Sequence, residues 1–518
     1  MSTHSKTLIF VVGVLLGIVV GERSIFSSEV AVFAIVLFFV QLTINVFERK
    51  RKMISGVVDL AYHFSFSLVT LLFSIGLFIG IVRVQLVEEK NNFVCEQSCT
   101  FDARIISSPE TKNEYQIFSA EPIVEGDEVR DIQVRVPLYP KYEIGEKIKL
   151  SGKVIVPKNI YSHDESKEKG FDYSSYLRTK NVGSEMMYPH VELIDSNPHT
   201  LRDVLGRLKE NLITRIDTYV SQPASSLASG MLFGASSMSK ELVQTFRTAG
   251  LSHIVVLSGF NIVIVIASIL FVLAFLPLTL RIIFASISVI LFVIMVGGSP
   301  SVIRATLMAF VSLLAMFVGR QYVAKQALVI SLFIIVMYEP YALMHDVSLQ
   351  LSFLATVGLV YMSEPLTLLF QKYFSYISSL SLRELFITTL SAYFATLPYV
   401  MYTFGTVSVY ALIANVLVVP FVPLAMLLSF LVVFFSYISR TLSLLIGYID
   451  SVLIGVMIWI ARTIELFPYS TFMLNVSFQT MCFIYVLVSV FMLFILRKYN
   501  NETRATKENG YLTDIISY

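Results

Sequence analysis

Residues 409–438 read VYALIANVLVVPFVPLAMLLSFLVVFFSYI. No Lys, Arg, Asp or Glu interrupts them, and the run exceeds the ~20 residues that cross a hydrocarbon core. Asn415, Pro420 and Pro423 lie inside it. The prolines withhold backbone donors and kink or break a helix. Such backbone is tolerated at membrane depth only where it is buried in protein or lines water. The stretch predicts a membrane span with an irregular middle.

Composition extends that reading to the whole chain. Of 518 residues, 55% are hydrophobic and only 15% charged, against roughly 25% charged in ordinary soluble domains. Disorder, a coiled coil and a cytosolic enzyme are excluded. A net charge of +2 advertises no nucleic-acid partner by itself. The expected fold class is a polytopic α-helical membrane protein of about 12 spans, some re-entrant, with a small extracytoplasmic OB-like β domain.

Three apolar runs open the chain, at about 7–21, 30–47 and 56–82. A second run follows the first closely, so the first reads as a membrane helix, not a cleaved signal peptide. The basic loop Glu48-Arg49-Lys50-Arg51-Lys52 is placed in the cytoplasm. The N-terminus is then cytoplasmic too, and residues 1–88 form about three spans that deliver the chain to the outer side.

Over 89–200 the composition turns polar. FDARIIS (101–107), EYQIFSAEPIV (114–124), DIQVRVPLY (131–139) and EKIKLSGKVIVP (146–157) alternate as strands do. They predict a small antiparallel barrel or sandwich outside the membrane, suited to an OB-like order. Residues 90–200 hold 14 Lys and Arg against 18 Asp and Glu, which argues against a strong electrostatic clamp for DNA. Residues 201–223 follow as an amphipathic interfacial helix, with Leu201, Val204, Leu205, Leu208, Leu212, Ile216 and Tyr219 on one face.

Residues 224–498 form a second membrane block. Candidate helices cover about 252–276, 280–297, 301–318, 325–339, 347–366, 386–402, 409–438, 443–465 and 476–496. Arg281, Arg320, Lys325, Lys372, Arg383, Arg440, Arg497 and Lys498 then fall in cytoplasmic loops, with Arg462 the exception. Residues 499–518 are a polar cytoplasmic tail.

Polar groups at membrane depth are costly and mark function. GLSHIVVLSGFNIVIV (250–265) carries His253, Ser258, Gly259 and Asn261. Two readings stand: hydrogen bonding between closely packed helices, or the lining of a hydrated path. Serine catalysis is disfavoured. On one continuous helix His253 lies about 140° around from Ser258, and it could serve as base only if the helix were broken. GGSPSVIRATLMAF (297–310) places Arg304 one turn into a helix. It either snorkels to headgroups or faces a pathway suited to a passing phosphate. HDVSLQLSFLATVG (345–358) offers His345, Asp346, Gln350, Ser352 and Thr356. Asp346 is expected to cap the helix, whereas Gln350 lies inside the bilayer. No metal-ligand spacing and no Walker motif occurs, so no cofactor, metal site or catalytic residue is expected.

These segments resemble the ComEC family of competence proteins, the inner-membrane channels for DNA uptake. KGFDYSSYLRTKNVG (169–183) is similar to an FDY…YL…G segment, and GLSHIVVLSGFN to the GLxHLxxxSGxH core. SVIRATLM, SLQLSFLATVGL and FGTVSVYALIANVLVVPFVP match three further elements in order. The resemblance implies a competence-type membrane channel domain over 224–498. In it His253, Ser258, Gly259, Asn261, Arg304, Gln350, Ser352, Asn415 and Pro420 are DNA-pathway or structural positions. It also implies passage of single-stranded DNA into the cytoplasm across the bacterial cytoplasmic membrane, with both termini cytoplasmic and the β domain outside. The implied partners are an outer DNA receptor, a cytoplasmic helicase-like motor, single-strand-binding proteins and a separate nuclease.

Two departures stand out. Asn261 occupies a position where the family commonly has His. The metallo-β-lactamase-like domain of many members, with its HxHxDH run, has no counterpart among the seven His; no nuclease activity is expected. The rival readings are a secondary transporter of a small solute or ion, disfavoured because no internal repeat is seen, an intramembrane hydrolase, and a degenerate member acting as a scaffold. Cys95 and Cys99, four apart on the outer side, are a candidate disulfide. Cys482 reads as packing.

Overall fold

The computed structural model describes residues 3–23, 72, 75–85, 92–157 and 173–495, with breaks at 113, 125–128, 197–199, 235–237, 256, 374–379, 475 and 493. The expected second apolar run, the basic loop at 48–52, most of the third run and the tail at 499–518 lie outside the described residues. The chain divides into two compact units, residues 1–210 with 265–349, and residues 211–264 with 350–518.

The first unit contains the β domain. Its strands are β1 (Cys95–Ile105), β2 (Glu110–Lys112), β3 (Tyr115–Pro122), β4 (Asp131–Pro137), β5 (Lys147–Ile155), β6 (Val182–Met187) and β7 (His190–Asp195). Hydrogen bonding runs β1-β3-β4-β6-β5 and returns from β5 to β1, which closes a five-strand OB-like barrel. The β4–β6 pair is parallel and the other pairs antiparallel. Alternation fills the interior: Phe118, Ala120, Ile132, Val134, Val136, Ile148 and Leu150 point inward and are buried. β2 and β7 extend the sheet beyond the closed ring.

The expected Cys95–Cys99 disulfide is not formed. The register of β1 against β5 shifts between the two residues. The Cys95 thiol donates to the Gln97 carbonyl at 2.8 Å and the Cys99 thiol to the Gly152 carbonyl at 3.6 Å, so both are free. Burial, followed by the hydrogen bond and charge of Cys95, pushes the Cys99 thiol up to about 11.

The helix Leu201–Tyr219 begins against the barrel. Thr200 N–H donates to Asp203 Oδ2 at 2.9 Å, and Asp203 N–H to Thr200 Oγ1 at 3.3 Å, a reciprocal cap. Gly145, at φ +88°, lies against the Asp203 carboxyl, and Gly206 against Ile144. A side chain at Gly145 would meet that carboxyl in a backbone region disfavoured for L residues. Two polar residues of this helix are covered there, whereas Arg202 and Glu210 are exposed. Asp203 is buried, and Lys209 Nζ donates to the Val296 carbonyl at 3.2 Å, satisfying the end of the helix Leu278–Val296. Leu201, Val204 and Leu208 stay 56%, 51% and 43% exposed, an apolar stripe left for an apolar surroundings.

The same unit packs the N-terminal helix Thr3–Arg23 on the helix Ala324–Tyr338. Val14, Ile18, Val84, Val336 and Tyr341 form the shared core. Gly17 lies against the Leu77 carbonyl and Gly80 against that of Val14, so two backbones meet without side chains between them. The Arg83 guanidinium donates to the Met337 and Tyr338 carbonyls, capping a helix end.

Among the described residues, six helices are long and apolar enough to span a membrane: Leu278–Val296, Ser301–Val318, Val347–Phe370, Arg383–Phe404, Ala411–Phe435 and Arg440–Glu465. Others are shorter, among them Ala324–Tyr338 and Phe478–Met492. The expectation of about 12 spans is thus not confirmed among the described residues. Two of the expected apolar runs are interrupted, the second as its prolines predict. The 252–276 run is a turn at Ser252–Val255 followed by a helix at Gly259–Val272. The 409–438 run is Ala411–Val418, a tight 3₁₀ turn at Val419–Phe421, then Val422–Phe435. Pro420 and Pro423 account for the second break.

Candidate functional site

The polar positions expected at membrane depth fall in both units. Arg304 belongs to the first; His253, Ser258, Gly259, Asn261, Gln350, Ser352, Asn415 and Pro420 belong to the second.

In the second unit the helix break gives the 250–265 segment its geometry. Gly250 adopts φ +76° and sits directly on Ala411. That contact brings the GLSH segment onto the start of the Ala411–Val418 helix. Beyond the break, Ser258 caps the helix that Gly259 begins. Asn261 N–H donates to Ser258 Oγ at 3.4 Å, and the Ser258 hydroxyl donates to Asn261 Oδ1 at 3.1 Å. The Asn261 amide then donates to the Met231 carbonyl at 3.1 Å. Asn261 is buried, and the contact ties this helix to Ala224–Phe233. Of the two readings for this segment, Asn261 realises the interhelical hydrogen bond. His253 is exposed in its short turn. The helix is broken between His253 and Ser258, yet the Ser258 hydroxyl is engaged with Asn261.

Gln350 lies on the helix Val347–Tyr373, and its Oε1 accepts from the Tyr399 hydroxyl on Leu380–Phe404. Gly358 makes that pairing close, since it lies against the Ser391 carbonyl and Ala395. Tyr399, Tyr402 and Phe478 continue as an aromatic row, with ring centroids 6.4 and 5.9 Å apart. The Ser352 carbonyl accepts from Thr356 Oγ1 at 2.9 Å. Asn415 is buried on Ala411–Val418, and its Oδ1 has no hydrogen-bond partner. Pro420 lies exposed in the 3₁₀ turn.

In the first unit Arg304 is only 8% exposed, with Nη1 3.6 Å from Met308 Sδ. Asp346 is the expected cap: its Oδ1 accepts from Leu349 N–H at 2.9 Å.

Sequence reasoning passed over four groups. Asp450 is fully buried on Arg440–Glu465 and Ser429 Oγ donates to it at 2.6 Å. Tyr399 partners Gln350. Arg215 donates to Ser436 Oγ at 3.1 Å and lies over the Tyr437 ring at 3.7 Å. Ser225 and Ser229 are buried with unpaired hydroxyls. Only Asp450 left a plain signal, an acid inside a long apolar run.

With this geometry in view, comparison with known proteins is informative. The family model for competence proteins matches residues 231–499. The chain belongs to the competence protein family. ComE operon protein 3 of Bacillus subtilis (strain 168) is 25% identical over 256 residues, 48% of this chain. The aligned part is 31% of that relative's length, so the chain matches about a third of it. No solved structure matches. The competence family assignment supports the ComEC-type resemblance read from the motifs, and all nine candidate positions lie within the matched residues. The helices and the family together describe a multi-pass membrane protein.

Proposed function

We propose that this competence-family protein is the inner-membrane channel through which single-stranded DNA enters the cytoplasm during transformation. The observation that carries the reading is the family match over 231–499, which contains all nine candidate positions from His253 to Pro420. The physical chemistry agrees. A passing strand needs scattered hydrogen-bonding groups and an isolated cation, which hold phosphates without a continuous sticky groove. Gln350, Ser352 and Asn415 are proposed for the former and Arg304 for the latter, while Asn261, held by Ser258 and Met231, braces the helices.

The domain roles follow. Residues 1–88 anchor the chain, the barrel of 89–200 faces outward, 201–223 lies at the interface, 224–498 forms the channel and 499–518 is cytoplasmic. The exposed Leu201, Val204 and Leu208 stripe supports the interfacial assignment. An outer receptor would deliver DNA, a separate nuclease would remove the complementary strand, and a helicase-like motor and single-strand-binding proteins would draw the strand inward. The polypeptide itself acts as a conduit without chemistry of its own.

The test is uptake of labelled DNA by cells lacking the protein, complemented with wild type or Arg304→Ala. The reading expects surface binding with no internal single strands in the deletion, and restoration by wild type but not by the variant. Undiminished internalisation in the deletion strain rejects it.

A further inference from the structure

Among the described residues of the second unit, Asp450 is the only buried acid. It sits mid-helix in Arg440–Glu465 and is 0% exposed. Ser429 Oγ donates to its Oδ2 at 2.6 Å, and its Oδ1 has no hydrogen-bond partner. The helix packs on Val422–Phe435, Ala224–Phe233, Ala411–Val418 and Lys240–Thr248. The first three carry no titratable side chain. On the fourth, Lys240, Glu241 and Arg247 are all exposed. On its own helix Arg440, Tyr448 and Arg462 are exposed, and Glu465 is half-buried about four turns away. Tyr219, whose carbonyl lies on Gly447, follows an exposed Asp217 and an Arg215 engaged with Ser436 and Tyr437.

A carboxylate left charged there would have no counter-ion and one oxygen without a donor, at a cost of several kcal/mol. Among the described residues packed against it, no side chain supplies the compensating positive charge. The smallest cation that can is a proton, which needs a single oxygen, whereas a metal ion requires a shell of several. We propose that Asp450 is a proton-binding site inside this helical bundle: Oδ1 takes up H⁺ from water, the side chain goes from −1 to neutral, and no other reactant takes part. The unpaired Ser225 and Ser229 hydroxyls give the same helix interior further hydrogen-bonding oxygens. Release of the proton places an uncompensated charge between Val422–Phe435 and Arg440–Glu465 and loosens their contact. The site stands independently of the DNA reading, because its occupancy is measured without DNA.

The experiment is infrared spectroscopy of the full chain in lipid nanodiscs at neutral pH, with hydrogen–deuterium exchange to mark protonated carboxyl groups. The expected result is a protonated-carboxyl stretching band that disappears in Asp450→Asn and moves to higher frequency in Ser429→Ala, which loses the 2.6 Å donor. Asp450→Asn, an isostere of the neutral acid, should melt close to wild type. Should that variant fail to fold, the Ser429→Ala shift alone decides. A band unchanged in both variants, or one abolished by adding sodium, overturns the proposal.

Discussion

The amide of Asn261 donates to the carbonyl of Met231 at 3.1 Å while its own carbonyl accepts from Ser258 at 3.1 Å. One side chain thus closes a helix cap and ties two helices together. Asn261→Ala removes both links in a buried setting, and a loss of about 1–3 kcal/mol is expected. Thermal melting of the detergent-purified protein measures it. Asn261→Asp should fare at least as badly, since the amide donor is gone and a charge is buried; a melting point equal to wild type in both variants would show the link to be idle.

Gly250 combines φ +76° with direct contact on Ala411. Gly250→Ala therefore meets both backbone strain and a clash, costing about 1–3 kcal/mol. Adding Ala411→Gly should recover the clash and leave the strain. A double variant no more stable than Gly250→Ala would place the whole effect in the backbone.

Tyr399→Phe deletes the phenol that Gln350 accepts from. The ring packing with Tyr402 survives, so the expected cost is about 1 kcal/mol and confined to the hydrogen bond. In a double-mutant cycle with Gln350→Leu the two effects should not add. Additive losses would mean the two side chains act separately.

Cys99 is held up to about 11 by burial and by Cys95, against an ordinary 9.0. A raised value leaves less reactive thiolate at neutral pH. Alkylation of Cys99 should therefore be slow near pH 7.5 and keep accelerating beyond pH 9. Reduction before alkylation should leave the mass of the labelled barrel unchanged, because both thiols are already free. A mass gain after reduction would restore the disulfide first read from the spacing.

How much of this was legible in the sequence depended on whether the signal was local. β3 alternates inside and outside along Tyr115–Pro122, so it and its neighbours could be read directly. β6 is buried at five successive residues, Val182–Met186, and showed no alternation to read. The helix break before Gly259 falls at Ser258-Gly259, and its cap was legible only as a Ser before a Gly in an otherwise apolar run. Asn261 and Gln350 were identifiable as polar groups in lipid-length runs. Their partners Met231 and Tyr399 are set by tertiary packing 30 and 49 residues away. Arg304 was found, but its burial beneath its own unit's side chains was not foreseeable from one helix.

The central claim is that a DNA strand passes these particular side chains, and photo-crosslinking during uptake tests it most directly. A photoreactive residue would replace Ser258 or Ser352, with the lipid-facing control at Val263, which is 55% exposed. Labelled DNA should become attached to the protein at 258 and 352 and not at 263. DNA entering the cytoplasm at the normal rate while neither site acquires label would contradict the account.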